Sequence, residues 1–314
     1  MMILPNKKEF QGRDYISLKD FTPDEILYML HVAKGLKEET KAGVSHPILQ
    51  GKNLAMIFTK SSTRTRVSFE VGMEQLGGHA LFLSDRDIQI GRGEPIKDTA
   101  RVLSRMVDGI MIRTYSHQDV IDLAEYSDVP VINGLTDTFH PTQVLADLLT
   151  IQEHKHQIAG LKLGFIGDGN NMAHSLMNIA KLGMHIVIAS PSSYQPDPGI
   201  IADAQTAAKK GGGLIEIVED PMLAAKGADV LYTDVWASMG QEEEAKIRAK
   251  AFAGYQVNEQ TLKAANSKAI VLHCLPAHRG EEITEDVLEG PQSVVFDEAE
   301  NRLHAHKAIL ALLL

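Results

Sequence analysis

What most limits the fold of this chain is the recurrence of short apolar runs separated by longer amphipathic stretches. Leu54–Phe58, Ala80–Leu83, Ile110–Ile112 and Val129–Ile132 read as strands separated by helical segments. That alternation predicts parallel α/β architecture. After a helical stretch around Thr142–His154 the pattern begins again, with Leu161–Ile166, Ile186–Ala189, Leu214–Val218, Val230–Thr233 and Ala269–Leu272. The chain therefore reads as two similar-sized parallel-sheet α/β domains joined by helices, residues 1–150 and 151–298. The joint is weakly marked, because Gln157–Lys162 holds one glycine and no proline, and the helix before it is expected to link the halves directly. The final segment, Ala299–Leu314, reads as a helix expected to return to the first domain.

A length of 314 residues suits two domains. With 31 basic and 41 acidic side chains and a net charge of -10, affinity for nucleic acid through phosphate neutralisation is not expected. Cys274 is the single cysteine, so no intrachain disulfide can form, which fits a reducing compartment. Met1–Phe10 carries Lys7, Lys8 and Glu9 and matches neither a secretory nor a transit peptide. The longest apolar stretch, Ala308–Leu314, falls short of the roughly 20 residues a membrane span needs. The expectation is a soluble cytoplasmic protein without membrane or nucleic-acid partners.

The first cluster of polar residues follows the strand Leu54–Phe58. Thr59-Lys-Ser-Ser-Thr-Arg-Thr-Arg66 leads into helical spacing at Phe69, Met73 and Leu76, ended by Gly77-Gly78. Hydroxyls at a helix N-terminus, where backbone N–H groups and the positive end of the dipole point outward, make an anion site, and Arg64 and Arg66 add donors. Taken alone, the run also fits a serine that merely caps a helix beside solvated arginines. Arg113 after the strand Ile110–Ile112, Gln89 in a polar loop, and His140-Pro-Thr-Gln143 opening another helix favour the anion. Ligands of open parallel sheets gather at strand carboxyl ends, where Ser62 and Arg113 would lie. A P-loop is excluded, since G-x-x-x-x-G-K-[ST] is absent.

The second cluster follows Leu161–Ile166. Gly167-Asp-Gly-Asn-Asn171 begins like a dinucleotide fingerprint but has Met172 at the third glycine position and Ser190-Pro191 where an acid should hold the ribose. The glycines instead suggest a tight turn that presents Asn171. Asp234, after Val230–Thr233, either holds an ammonium group or caps a helix. Trp236-Ala-Ser-Met-Gly240 continues into Gln241-Glu-Glu-Glu244.

A third cluster, His273-Cys-Leu-Pro-Ala-His-Arg-Gly280, again follows a strand. Cys274 there is open to two readings, a nucleophile or a buried apolar residue. In Glu298-Ala-Glu-Asn-Arg302-Leu-His304, the spacing by itself suits a surface ion pair for Arg302. The thirteen histidines are dispersed, and His304 and His306 cannot share one side of a helix. No required metal and no cofactor are expected.

Ser62-Thr-Arg-Thr-Arg66-x-Ser68-Phe69-Glu70 and His140-Pro-Thr-Gln143 resemble the carbamoyl phosphate signatures of the aspartate and ornithine carbamoyltransferases. Asp234-x-x-x-Ser238-Met239-Gly240 resembles the ornithine-closing loop of that family's ornithine branch. The resemblance runs from about Tyr15 to Ala308, with five signatures in the family's order. It implies a carbamoyl phosphate-binding first domain and an ornithine-binding second one. By it, Ser62, Thr63, Arg64 and Thr65 hold the phosphate, while Arg113, His140, Pro141, Thr142 and Gln143 surround the carbamoyl group. Cys274 and Leu275 line the site, with Cys274 a polar neighbour of the reacting amine, and Arg302 completes the carbamoyl phosphate pocket. Asn171, Asp234, Ser238 and Met239 bind the amino-acid end of ornithine. Arg64, Arg113, His140 and Cys274 are the expected catalytic group. The resemblance also implies a homotrimer, or a multiple of trimers, in which Gln89 comes from the neighbouring chain.

The reaction so implied moves a carbamoyl group to the side-chain amine of ornithine, for arginine synthesis or citrulline breakdown alike. An alkyl ammonium, with a pKa near about 10.4, cannot attack while protonated, so turnover is expected to rise from about pH 6 to about pH 9. Carbamoyl phosphate is expected to bind before the second domain closes over ornithine. A dicarboxylate substrate would need cationic partners, and the His-Pro-Leu-Pro-Arg-type segment for aspartate is missing. The intact Ser238-Met239-Gly240 run argues against a carbamoyltransferase for another amine, such as putrescine or an acylated ornithine, and the presence of every named catalytic position disfavours a sensor of an amino acid or phosphometabolite on the same fold.

Overall fold

The structure, a computed structural model, describes Leu4 and residues 6–237 and 244–314. The chain folds into two compact units, Met1–Leu149 with Glu300–Leu314, and Thr150–Ala299. It passes between them inside two helices, Pro141–Lys155 and Val295–Leu313.

Unit 1 holds strands β1 (Asn53–Phe58), β2 (His79–Ser84), β3 (Gly109–Arg113) and β4 (Val131–Leu135), all parallel, in the order β2-β1-β3-β4. The inner strands β1 and β3 are buried along nearly their whole length and read as continuous apolar runs, as in parallel sheets covered on both faces. Ile57, Ile110, Ile112, Val120 and Leu123 meet in the core. The edge strand β2 leaves Leu81 and Phe82 exposed. β4 begins two residues later than the apolar run at Val129 suggests: Pro130 has no N–H to give a ladder, and only its carbonyl is used, by Ile110.

Unit 2 holds β5 (Lys162–Ile166), β6 (His185–Ala189), β7 (Leu214–Val218), β8 (Val230–Thr233) and β9 (Ile270–His273), parallel in the order β7-β6-β5-β8-β9. Both sheets are therefore doubly wound, and each reverses its strand order once, between β1 and β3 and between β5 and β8. The C-terminal helix starts at Val295, four residues before the apolar pattern announces it, with Asp297 and Glu298 in a first turn where the helix dipole favours acids. Among the described residues no helix is long and apolar enough to cross a membrane.

Candidate active site

At the reversal point of unit 1, Phe58 of β1 lies beside Arg113, the last residue of β3. Thr59 and Lys60 donate their backbone N–H groups to the Arg113 carbonyl at 3.0 and 3.4 Å, which turns the chain across the end of β3. Ser62 then caps the helix Thr63–Gln75, its Oγ accepting the Thr65 N–H at 3.2 Å. The first turn of that helix carries no acid to offset its dipole. Its far end closes on Gly77, at φ 80°, with the Gly78 N–H returned to the Met73 carbonyl at 2.8 Å.

Arg302 comes to this point from the C-terminal helix and is 3% exposed, so the surface ion pair that its local spacing suits is not what it makes. Its Nη2 donates to Thr65 Oγ1 at 2.9 Å, its Nη1 to Gln143 Oε1 at 2.6 Å and its Nε to His306 Nε2 at 3.3 Å. Gln143 Nε2 in turn donates to Asp147 Oδ1 at 2.9 Å. A guanidinium only donates and a carboxylate only accepts, so the Gln143 amide is oriented from both ends. With Nε2 of His306 accepting, its Nδ1–H donates to Ser68 Oγ at 2.8 Å, and the ring stacks on Phe69 at 4.0 Å.

His140 is buried in the same group. Burial first, then the charges of Arg302 and Arg113 and further those of His306 and Arg64, hold it well below the ordinary imidazole range. Burial and Arg302 do the same to His306. Both rings are therefore neutral at physiological pH and offer hydrogen bonds instead of charge. Thr142 Oγ1 lies 3.4 Å from His140 Nδ1, and Pro141 opens the helix, its carbonyl accepting the Tyr15 hydroxyl at 3.2 Å.

Two arginines of the hydroxyl-rich run part company. Arg64 belongs to the group around His140, whereas Arg66 is exposed, paired with Glu70 at 2.9 Å and laid over Phe82. Gln89 also stands apart within this chain, in the short helix Gln89–Arg92 beside Ile88, Glu94 and Thr99. Sequence reasoning missed Lys60, a buried cation on the turn before Ser62 that pairs with Asp137 at 3.1 Å and faces the Tyr115 ring. Its place inside the run Thr59–Arg66 was the available signal. His306 and Asp147 were missed as well, for want of any local pattern.

At the reversal point of unit 2 the groups are of opposite sign. Gly169 makes the turn after β5 possible: a Cβ there would lie 2.3 Å from the Pro196 nitrogen. Asn170 caps the helix Asn171–Met177 through the Met172 and Ala173 N–H groups and gives Nδ2–H to Asp234 Oδ2 at 3.1 Å. Asn171, the residue the sequence singled out, is buried at the head of that helix, next to the Asn170 that meets Asp234. Asp234 Oδ1 accepts the Val235 N–H at 2.8 Å and the Cys274 thiol at 3.1 Å. Ser238 and Met239 lie outside the described residues.

Asp168 and Arg248 form a buried pair at 2.7 Å beside this group, and Arg248 also donates to the Trp236 carbonyl at 3.0 Å. Burial pushes the Asp168 carboxyl up to about 6 against the pull of Arg248, with Asp234 raising it further. Glu298, fully buried, accepts the His273 N–H at 2.8 Å and the Tyr232 hydroxyl at 3.1 Å, tying the ends of β8 and β9. Ligand atoms of Asp234, His273 and Cys274 lie within 4.8 Å of one another, the spacing a metal would need. Each of these side chains also has a hydrogen-bond partner.

Comparison with known proteins matches both halves of the chain to one family. A family model described as the carbamoyl-P binding domain of aspartate/ornithine carbamoyltransferase matches residues 13–153, and one described as its Asp/Orn binding domain matches residues 159–313. The chain is 60% identical over 305 residues to an ornithine carbamoyltransferase of Symbiobacterium thermophilum, covering 97% of this chain and 98% of the relative. A solved ornithine carbamoyltransferase from Pyrococcus furiosus superposes with a TM-score of 0.94 at 57% identity, covering 97% of each chain. An anabolic ornithine carbamoyltransferase from Campylobacter jejuni gives 0.90 at 46% identity, covering 95% of this chain and 97% of the other. With a cationic group at one sheet reversal and a carboxylate group at the other, the chain belongs to the aspartate/ornithine carbamoyltransferase family, in its ornithine branch.

Proposed function

We propose that the protein transfers the carbamoyl group of carbamoyl phosphate to the δ-amine of L-ornithine, giving L-citrulline and phosphate. The observation that carries the residue assignments is the contact of Arg302 with both Thr65 and Gln143, which gathers three distant signatures into one buried, cationic group. In this reading unit 1 is the carbamoyl phosphate domain and unit 2 the ornithine domain. Ser62, Thr63, Arg64 and Thr65 hold the phosphate at the helix N-terminus, supported by Arg302. Arg113, neutral His140 and the segment Pro141–Gln143 surround the carbamoyl group. Their donors stand in place before charge gathers on the carbonyl oxygen, which is the main source of rate.

Asn171 and Asp234 hold the amino-acid end of ornithine together with Ser238 and Met239. Cys274 and Leu275 line the reacting end, and no covalent enzyme intermediate is required. The neutral δ-amine attacks the carbonyl carbon, the bond from that carbon to the phosphate oxygen breaks, and the proton shed by nitrogen ends on the departing phosphate. Turnover rises from about pH 6 to about pH 9 because the amine, with a pKa near about 10.4, is the group that must lose a proton.

The active form is proposed as a trimer of cytoplasmic chains, with Gln89 serving a neighbouring copy. The exposed apolar residues Val67, Val71, Leu81 and Phe82 on one helix and the edge strand of unit 1 suit burial by such a copy. The test is citrulline or carbamoyl-amine formation from carbamoyl phosphate with ornithine, putrescine, N-acetylornithine and aspartate in parallel. Turnover with ornithine alone is expected. Preference for another amine overturns the roles of Asp234 and the Ser-Met-Gly run, and silence with all four overturns the enzyme.

A further inference from the structure

β9 ends in His273, and the turn that follows carries Cys274 and Leu275. His273 and Glu282 are both completely buried, and the proposed reaction makes no use of the pair. One oxygen of Glu282, Oε1, accepts two hydrogen bonds: from His273 Nε2 at 2.9 Å and from the backbone N–H of His278 at 2.6 Å. The other ring nitrogen, Nδ1, accepts the backbone N–H of Leu275 at 2.9 Å. A backbone N–H can only donate, so the ring proton sits on Nε2 and the tautomer is fixed by both neighbours. The carboxylate thus ties the start of the turn to its end, and the imidazole ties its middle.

Leu275 needs such ties. Its φ of 56° lies in the left-handed region, which a leucine holds only when its surroundings impose it. Glu282 is itself anchored, its carbonyl accepting the Val257 N–H at 2.8 Å. The turn so fixed carries the thiol that donates to Asp234.

We propose that Glu282 and His273 are positioning residues of the amine site: together they set the backbone of Cys274 and Leu275 and hold the Cys274 thiol on Asp234. The inference rests on the reading of Asp234 and Cys274 as part of that site.

Cys274 is the sole cysteine of the sequence and is partly exposed, so its reaction with an aromatic disulfide reagent reports on this turn alone. In the full-length protein without substrates, Glu282→Leu should speed that reaction at least about tenfold, because local opening of the turn frees the thiol from Asp234. Glu282→Gln keeps an oxygen able to accept both bonds and should stay within about threefold of the parent. His273→Asn places an amide oxygen where Nδ1 stands but cannot reach Glu282, and it should fall between the two. In the citrulline assay Glu282→Leu should raise the ornithine KM about tenfold, with inhibition by inorganic phosphate unchanged.

A purely structural pair would lower the melting temperature while leaving the thiol rate and the ornithine KM of the folded protein alone. Equal thiol rates in the parent, Glu282→Leu and His273→Asn overturn the proposal; if the leucine variant does not fold, equal rates in the parent and His273→Asn do so. A glutamine variant as fast as leucine also overturns it, since charge and not the shared oxygen would then hold the turn. The thiol readout needs no substrate, so a parent without citrulline formation would refute the proposed reaction and leave this test intact.

Discussion

In unit 1 the strand ends at the reversal of the sheet and beside it carry hydroxyls, arginine and histidine; in unit 2 the corresponding ends carry asparagine, aspartate and a thiol. The backbone device is shared: parallel strands, a reversal that parts two crossover helices, and a capped helix beginning just beyond the first strand. Only the side chains differ. Ser62 and Asn170 each use the side-chain oxygen to cap their own helix, but the first cap stands beside Thr65 and its guanidinium partner Arg302, whereas Asn170 turns its amide to a carboxylate. One architecture thus prepares two places of opposite charge, which is what a dianionic donor and an ammonium-bearing acceptor require.

The contrast can be broken most forcefully at Arg64. Replacing it with alanine should lower kcat by about a thousandfold or more, in line with removing a donor from a preorganised electrostatic site. Near-normal steady-state turnover would take unit 1 out of the chemistry. Asp234→Ala should act on the other side alone, raising the ornithine KM about a hundredfold while carbamoyl phosphate moves by less than about threefold. Equal weakening of both substrates would end the division of labour.

Acid separates the units more gently. His140 and His306 are held well below the ordinary imidazole value and His304 down to about 3, so in the folded state they stay neutral where the unfolded chain takes up protons. Their stabilising effect is complete above about pH 6.5 and is lost as pH falls below it, by up to about 1.4 kcal/mol per pH unit for each ring. Asp168, raised to about 6, has the opposite sign: between its unfolded value and 6 the folded state binds the extra proton and gains stability on acidification. Urea unfolding at graded pH, with and without Asp168→Asn, should show a net loss in acid that the variant deepens. The smallest effect belongs to Arg66→Ala, which removes an exposed pair with Glu70 and should change turnover by less than about twofold and stability by under about 1 kcal/mol.

The strands were legible because apolar runs of parallel sheets are continuous; each of the nine sits within two or three residues of its run. The helix start at Ser62 was legible because its hydroxyls and Arg64 are contiguous just beyond a strand. The rest depends on pairing across distance. Arg302 reads locally as a surface residue, and only the resemblance pointed inward; Thr65 lies 237 positions away. Asp147, His306, Glu282 and Arg248 gave no local signal, since each takes its meaning from a partner brought close by the fold. Asn170 and Asn171 are adjacent and chemically alike, and spacing gave no sign that Asn170 caps the helix and meets Asp234.

The helix Val295–Leu313 begins in unit 2 and ends in unit 1, where Ile309, Leu310 and Leu312 are almost wholly buried. Unit 2 is an unbroken stretch of chain, but unit 1 is not. On a ribosome, then, the part that starts first must finish last: residues 1–149 emerge lacking the guanidinium that braces Thr65 and the leucines that fill their core, and they wait while some 150 residues of unit 2 are translated. For that interval the nascent first unit lacks its last helix, and the group that Arg302 forms with Thr65 and Gln143 is assembled only after residue 302 has been made.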